Sequence, residues 1–192
     1  MRNGKIKWMV RTAFFIALVI LVQLLSNMLP IAQLMLGPVK LSQLVTGSLV
    51  NLVLIVAAAL LGIGSGVTVG ILSALLASLF GIQLPLPQML PLVAIGNATI
   101  VAVAWAFFHM GKKIGGKTRL FVESGGILLA AAAKCAVLWA GVHFIIVPLV
   151  QPAGKLAAVL TLNFSWPQLI TGIIGGAVAL ALLPVLRKAT QN

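Results

Sequence analysis

Five side chains in or beside the long apolar stretches of this sequence carry groups able to do acid, base, nucleophile or ion-pair chemistry: His109, Glu123, Lys134, Cys135 and His143. Their spacing excludes most of that chemistry. Glu123 is the only acidic residue, so no paired-carboxylate site forms. Cys135 has no second cysteine for a disulfide or a thiolate metal site, and reads as a small buried apolar residue. The two histidines are far apart, which rules out a metal triad or a nucleophile–base–orienter set, and the chain reads as something other than an enzyme. Lys134 remains. Glu123 lies eleven residues before it, about 16 Å along a helix and beyond pairing distance. His143 lies nine residues after it, on the opposite side of the same helix. A cation at that depth with no acid beside it calls for backbone carbonyls, water, a lowered pKa or a bound anion such as a substrate carboxylate.

The elements that would position Lys134 are membrane spans. Hydrophobic residues make up 61% of the 192 positions and charged residues 7%, with a mean hydropathy of +1.20. Soluble domains carry about 25% charged residues. Six apolar runs, 8–28, 43–62, 66–83, 89–110, 122–149 and 166–186, each approach the roughly 20 residues a bilayer requires. The expected fold is therefore all-α, a single domain over 1–192 built as a bundle of six transmembrane helices. The first run is too long for a signal peptide and has no small-residue cleavage site, so it is expected to stay as a helix.

The net charge is +12, and ten of the 13 lysines and arginines gather in three places at the ends of these runs. Arg2, Lys5, Lys7 and Arg11 precede the first, Lys112, Lys113, Lys117 and Arg119 fill a central loop, and Arg187 and Lys188 close the last. The opposite connectors, 29–42, 84–88 and 150–165, carry only Lys40 and Lys155. By the positive-inside rule both termini are cytoplasmic, and bases separated by membrane-length apolar runs make no nucleic-acid surface. The string Gly62-Ile63-Gly64-Ser65-Gly66 has no following Lys-Ser or Lys-Thr, so it is not a phosphate loop. With Gly70 it reads instead as a small-residue strip holding spans two and three in a close hairpin.

Polar residues inside the spans fall on the outer half: Gln23 and Asn27 late in span one, Asn51 and Asn97 early in spans two and four, Asn163 and Ser165 before span six, and Gln168 at its start. Unsatisfied polar groups are costly in hydrocarbon, so these side chains should meet one another, water or a ligand. The outer connectors contain Pro30, Pro38, Pro85, Pro87 and Pro152, which set fixed turns able either to cap an outward-facing pocket or simply to join helices.

No residue here binds ATP, and no intramembrane acid carries protons or sodium, so active uptake would draw its energy from a partner. Six short spans, a basic N-terminus and Ala13-Phe14-Phe15-Ile16-Ala17 in span one resemble the substrate-binding S component of an energy-coupling factor (ECF) vitamin transporter. That family carries an Ala-x-x-x-Ala motif in its first helix, matched by Ala13 and Ala17. Asn163-Phe164-Ser165-Trp166-Pro167-Gln168, followed by Gly172, Gly175 and Gly176, resembles the start of the sixth helix in other members. The resemblance implies a bacterial cell-membrane subunit that captures a vitamin-like molecule outside. It also implies docking through the alanine strip onto a transmembrane coupling subunit with two ATPase subunits, and no cofactor. It places the pocket near the outer face, formed by helices four to six and the first loop, with Asn97, Lys134, Trp139, Asn163, Trp166 and Gln168 as candidate substrate contacts. Trp139 and Trp166 would stack on a flat ligand or belong to an aromatic belt. Lys134 directs the expectation to a carboxylate: pantothenate, lipoate, niacin or biotin. The competing expectations are an assembly subunit without a ligand and a self-contained channel or facilitator.

Overall fold

The computed structural model describes residues 2–28, 34–37, 39–79, 86–152 and 155–189, apart from the side chains of residues 2, 3 and 27. An apolar run leaves its backbone no water to bond with, so each closes its N–H and C=O groups internally as a helix. Those helices are α1 (Arg2–Met28), α2 (Leu41–Leu61), α3 (Ile63–Leu79), α4 (Leu90–Ile114), α5 (Gly116–Gly141), α6 (Val147–Val150), α7 (Leu156–Asn163) and α8 (Trp166–Ala189). A two-residue antiparallel pair, Met35–Leu36 with Val39–Lys40, precedes α2, and a 3₁₀ turn over Pro87–Met89 leads into α4.

Five helical stretches among the described residues are long and apolar enough to cross a membrane: Gly4–Ser26, Leu41–Leu61, Pro87–Ile114, Gly116–Val150 and Leu156–Ala189. The architecture is an all-α bundle compatible with a multi-pass membrane protein. The third apolar run, expected at 66–83, is the shorter helix Ile63–Leu79, and residues 80–85 lie outside the described residues.

Two connectors are tighter than their composition suggests. The expected loop at 62–66 is the single residue Gly62, whose φ of 93° is open to glycine at little steric cost. The basic segment at 112–119 is helical and not a loop: Lys112 and Lys113 end α4, Lys117 and Arg119 begin α5, and only Gly115, at φ 69°, separates them. Lysines at a helix C-terminus are stabilised by the local carbonyl dipoles, which favours helix up to the break.

The 35-residue stretch Gly116–Val150 is continuous but not uniform. Val142–Ile146 is a π-helical turn in which the Val147 N–H bonds the Val142 carbonyl. Pro148 follows at once and has no N–H to offer the Phe144 carbonyl; widening the preceding turn relieves the clash its ring would otherwise make.

The core sits around α2. Val53, Leu54, Ile55, Ala57 and Ala58 are buried against Val19 of α1, Val69 of α3, Ile100 and Val101 of α4, and Ala179 and Leu183 of α8. A second cluster, Met89, Leu92, Leu138, Val142, Leu160 and Phe164, packs the opposite ends of α4 and α5 beneath α7. Small residues set the helix separations. A Cβ at Gly175 would overlap the Ser48 carbonyl oxygen and lie 2.8 Å from the Leu52 nitrogen, so α8 rests on the backbone of α2. Of the glycines expected to join α2 and α3, only Gly66 meets α2, at Ala58; it also meets Val101, and Gly70 faces Asn97 of α4.

The alternation of helices gathers the basic clusters at one end of the bundle. Thr12 of α1 bonds Ser65 at the start of α3 at 2.9 Å, Gly66 and Gly70 of α3 abut Val101 and Asn97 of α4 in reverse chain order so that α4 runs back towards the start of α3, and Glu123 ties the start of α5 to Arg187 at the end of α8.

Candidate functional site

The geometry begins with α5, which turns Lys134 inward while its neighbours Ala132 and Ala136 face outward. Lys134 is 5% exposed. Its Nζ donates to Asn51 Oδ1 of α2 at 2.7 Å and to Asn97 Oδ1 of α4 at 2.9 Å. Each amide is held in turn by its own N–H groups. Asn51 Nδ2 donates to Thr171 Oγ1 of α8 at 3.3 Å, while Asn97 Nδ2 donates to the Gly70 carbonyl at 3.1 Å and to Ser73 Oγ of α3 at 3.3 Å. These bonds orient both carbonyl oxygens towards the lysine, since an asparagine that spends its N–H groups outward presents its oxygen inward. Lys134 therefore sits where five helices meet, held by neutral oxygens with no carboxylate in the set.

A further chain of hydrogen bonds runs from this hub to the end of the bundle opposite the bases. Thr171 Oγ1 donates to the Gln168 carbonyl at 3.1 Å, Gln168 Nε2 donates to the Asn163 carbonyl at 3.2 Å, and Gln43 Nε2 donates to that same carbonyl at 3.1 Å. The Asn163 side-chain oxygen is buried without a hydrogen-bond partner, as is the hydroxyl of Thr46 on α2. Cys135, beside Lys134, donates its thiol to the Ser165 carbonyl at 3.2 Å, so it serves as a weak donor rather than only as a small apolar residue.

Of the candidate contacts, Asn97 and Lys134 touch directly, and Gln168 and Asn163 join them through Thr171 and Asn51. The tryptophans do not join. Trp139 is exposed and stacks on His143, one turn on, with ring centroids 5.4 Å apart; both rings also meet the exposed Phe144 edge-on. Five residues after Lys134, Trp139 is about 140° around the helix from it. Trp166 is exposed at the first position of α8. His109 stacks on Trp105 at 5.4 Å, remote from the hub.

Asn51 completes the cradle, and as an amide within an apolar run it is marked in the sequence as a group in need of a partner. Thr171, Ser73 and Gln43 carry no comparable signal, because hydroxyls and terminal amides recur in apolar helices wherever they can bond a nearby carbonyl. Gln23 is buried on α1 with its side-chain oxygen unpaired, away from the hub, and the Asn27 side chain lies outside the described residues.

Glu123 is occupied elsewhere, as its distance from Lys134 requires. It is buried at the basic end, where one carboxylate oxygen accepts from Arg119 Nε at 2.9 Å and from Arg187 Nη2 at 3.2 Å. Arg187 also lies over the Phe108 ring, 5.8 Å from its centroid. On α1, Ala13 and Ala17 are exposed and share their face with Val10, Phe14 and Leu21, while Thr12, Phe15 and Val19 turn inward. Among the described residues no group of three His, Cys, Asp or Glu side chains could hold a metal ion. No family model, no curated protein and no solved structure matches the chain.

Proposed function

We infer that this chain is the membrane-embedded substrate-capture subunit of an ECF-type importer, binding a small carboxylate-bearing vitamin or vitamin-like molecule. The observation that carries the reading is the setting of Lys134: buried at the meeting point of five helices, bonded to two amide oxygens, with no carboxylate in contact. An ammonium has three N–H donors and the two asparagines take two, leaving one for an anion. Asn163, Gln168 and Thr171 lead from the end without the basic clusters to the lysine and offer a ligand successive polar contacts as it descends.

In this reading the chain crosses a bacterial cell membrane six times, with the short α3 as the third span and both termini on the cytoplasmic side with the basic clusters. The exposed Ala13 and Ala17 meet the coupling subunit, which brings two ATPase subunits; alanines four apart let a partner helix approach closely. Energy comes from those partners. Trp139 and Trp166, on the outer surface, belong to an aromatic belt rather than to the pocket.

A second reading, an assembly subunit that binds no ligand, is favoured by the closure of the hub. At 5% exposure Lys134 is reached only when α4, α5 or α8 separate or an asparagine gives way. One experiment separates the two. Native mass spectrometry of the detergent-purified protein should find a small carboxylate retained by the wild type and lost from Lys134→Met, which keeps the apolar stem and removes the charge. The binding loss expected is about 1.5–3 kcal/mol, the scale of a hydrogen bond to a charged group. Equal retention by both proteins would remove Lys134 from the site, and no ligand in either, with uptake by the module intact, would favour the assembly subunit.

A further inference from the structure

At the basic end of the bundle, a cavity of about 360 Å³ opens between α5 and α8, lined by Gly116, Arg119, Leu120, Glu123, Leu180, Pro184 and Arg187. Two guanidinium groups share one carboxylate there, so the lining carries a net positive charge. Arg119 is short of a partner. Its Nε bonds Glu123, and its Nη2 is buried with no acceptor, an arrangement that costs free energy until an acceptor is supplied. Glu123 does not supply it as placed, since its bond to Arg119 is the single one from Nε to Oε1.

The rest of the lining is apolar. Leu120 is exposed beside Arg119, with Leu180 and Pro184 opposite on α8. If the two long apolar helices span a membrane, a guanidinium pair in the groove at their basic end presents a charged recess at headgroup depth with hydrocarbon just beyond it. Arginine forks match the oxygens of a phosphate, and basic recesses between spans on the cytoplasmic side attract anionic lipids. We propose that this cavity binds the phosphodiester headgroup of an anionic membrane lipid, with Arg119 and Arg187 as its contacts and Leu120, Leu180 and Pro184 against the upper acyl chain. A small rotation of the Arg119 guanidinium brings Nη2 to the phosphate. The site rests on the membrane-spanning reading but is independent of what Lys134 binds.

The test uses the full chain in a mild nonionic detergent and follows thermal unfolding as phosphatidylglycerol, phosphatidylcholine or inorganic phosphate is added. That detergent is needed for extraction is established first, so failure of the membrane reading is seen separately. Phosphatidylglycerol should stabilise the wild type and phosphatidylcholine should not. Arg119→Gln should weaken the apparent lipid affinity roughly tenfold, while Lys113→Gln, which removes an exposed charge outside the cavity, should leave it unchanged. Arg119→Lys, which keeps the charge and loses the fork, should fall between them and serves if Arg119→Gln does not fold. Equal losses in the Arg119 and Lys113 variants would overturn the site in favour of diffuse attraction. Stabilisation by inorganic phosphate matching that of the lipid would overturn the lipid assignment, as would no response to phosphatidylglycerol.

Discussion

Lys134 Nζ and Asn51 Oδ1 are 2.7 Å apart although 83 residues separate them in the chain, and this bond joins α5 to α2 inside the bundle. Asn97 makes the matching bond from α4. As an ammonium, Lys134 depends on both amides, because each offsets part of the cost of taking the charge out of water.

Asn51→Leu should therefore destabilise the protein by about 1.5–3 kcal/mol, the range for losing a hydrogen bond to a charged group. Adding Lys134→Met should recover part of that loss, since the unpaired charge goes with it. A double-mutant cycle from reversible unfolding in micelles measures the coupling. Strictly additive effects would show that the two residues do not depend on each other.

Glu123 holds Arg119 and Arg187 on one oxygen. Glu123→Gln leaves two guanidinium groups facing each other without their shared anion, and should cost roughly 2–3 kcal/mol. Removing one of the repelling charges as well, in Glu123→Gln with Arg119→Gln, should restore part of it. A double variant less stable than Glu123→Gln alone would refute the shared-anion account.

Two glycines should respond in opposite directions to alanine. At Gly175 the added methyl would meet the backbone of α2, which cannot move aside cheaply, so Gly175→Ala should destabilise by about 1–3 kcal/mol. At Gly125, exposed on α5 with nothing within 4 Å of the added carbon, alanine should stabilise by about 0.4–1 kcal/mol by restricting the unfolded chain. Thermal unfolding of the two variants side by side checks both signs.

The docking assignment for α1 gives a different pattern. Ala13→Trp and Ala17→Trp add bulk to an exposed face, so the isolated chain should change by no more than about 0.5 kcal/mol. Association with the coupling subunit should be lost in both. Co-purification of the variants with the intact module at wild-type yield would reassign the strip to lipid contact.

Composition and charge placement alone determined that the chain is helical, apolar over membrane-length runs, and polarised with its bases at run ends; these are local properties that a bilayer-sized window reads directly. The same reading found that Glu123 cannot reach Lys134, because the two share one helix and its rise per residue sets their separation. It also found Ala13 and Ala17 on one face, since four residues are about one turn. Tertiary packing decided the rest. Apolar residues surround these helices on nearly every side, so no periodic stripe marks which face turns inward; that α5 buries the Lys134 face and leaves the Trp139 face exposed was decided by its packing against α2 and α4. The partners of Lys134 come from helices far apart in the chain; Gly70 lets α3 lie close against Asn97, which bonds its carbonyl, and Gly175 lets α8 lie close against Asn51, which bonds Thr171 there. The basic 112–119 segment resembled a loop because charge interrupts hydropathy, yet charge does not oppose helix, and the break falls only at Gly115, where φ turns positive.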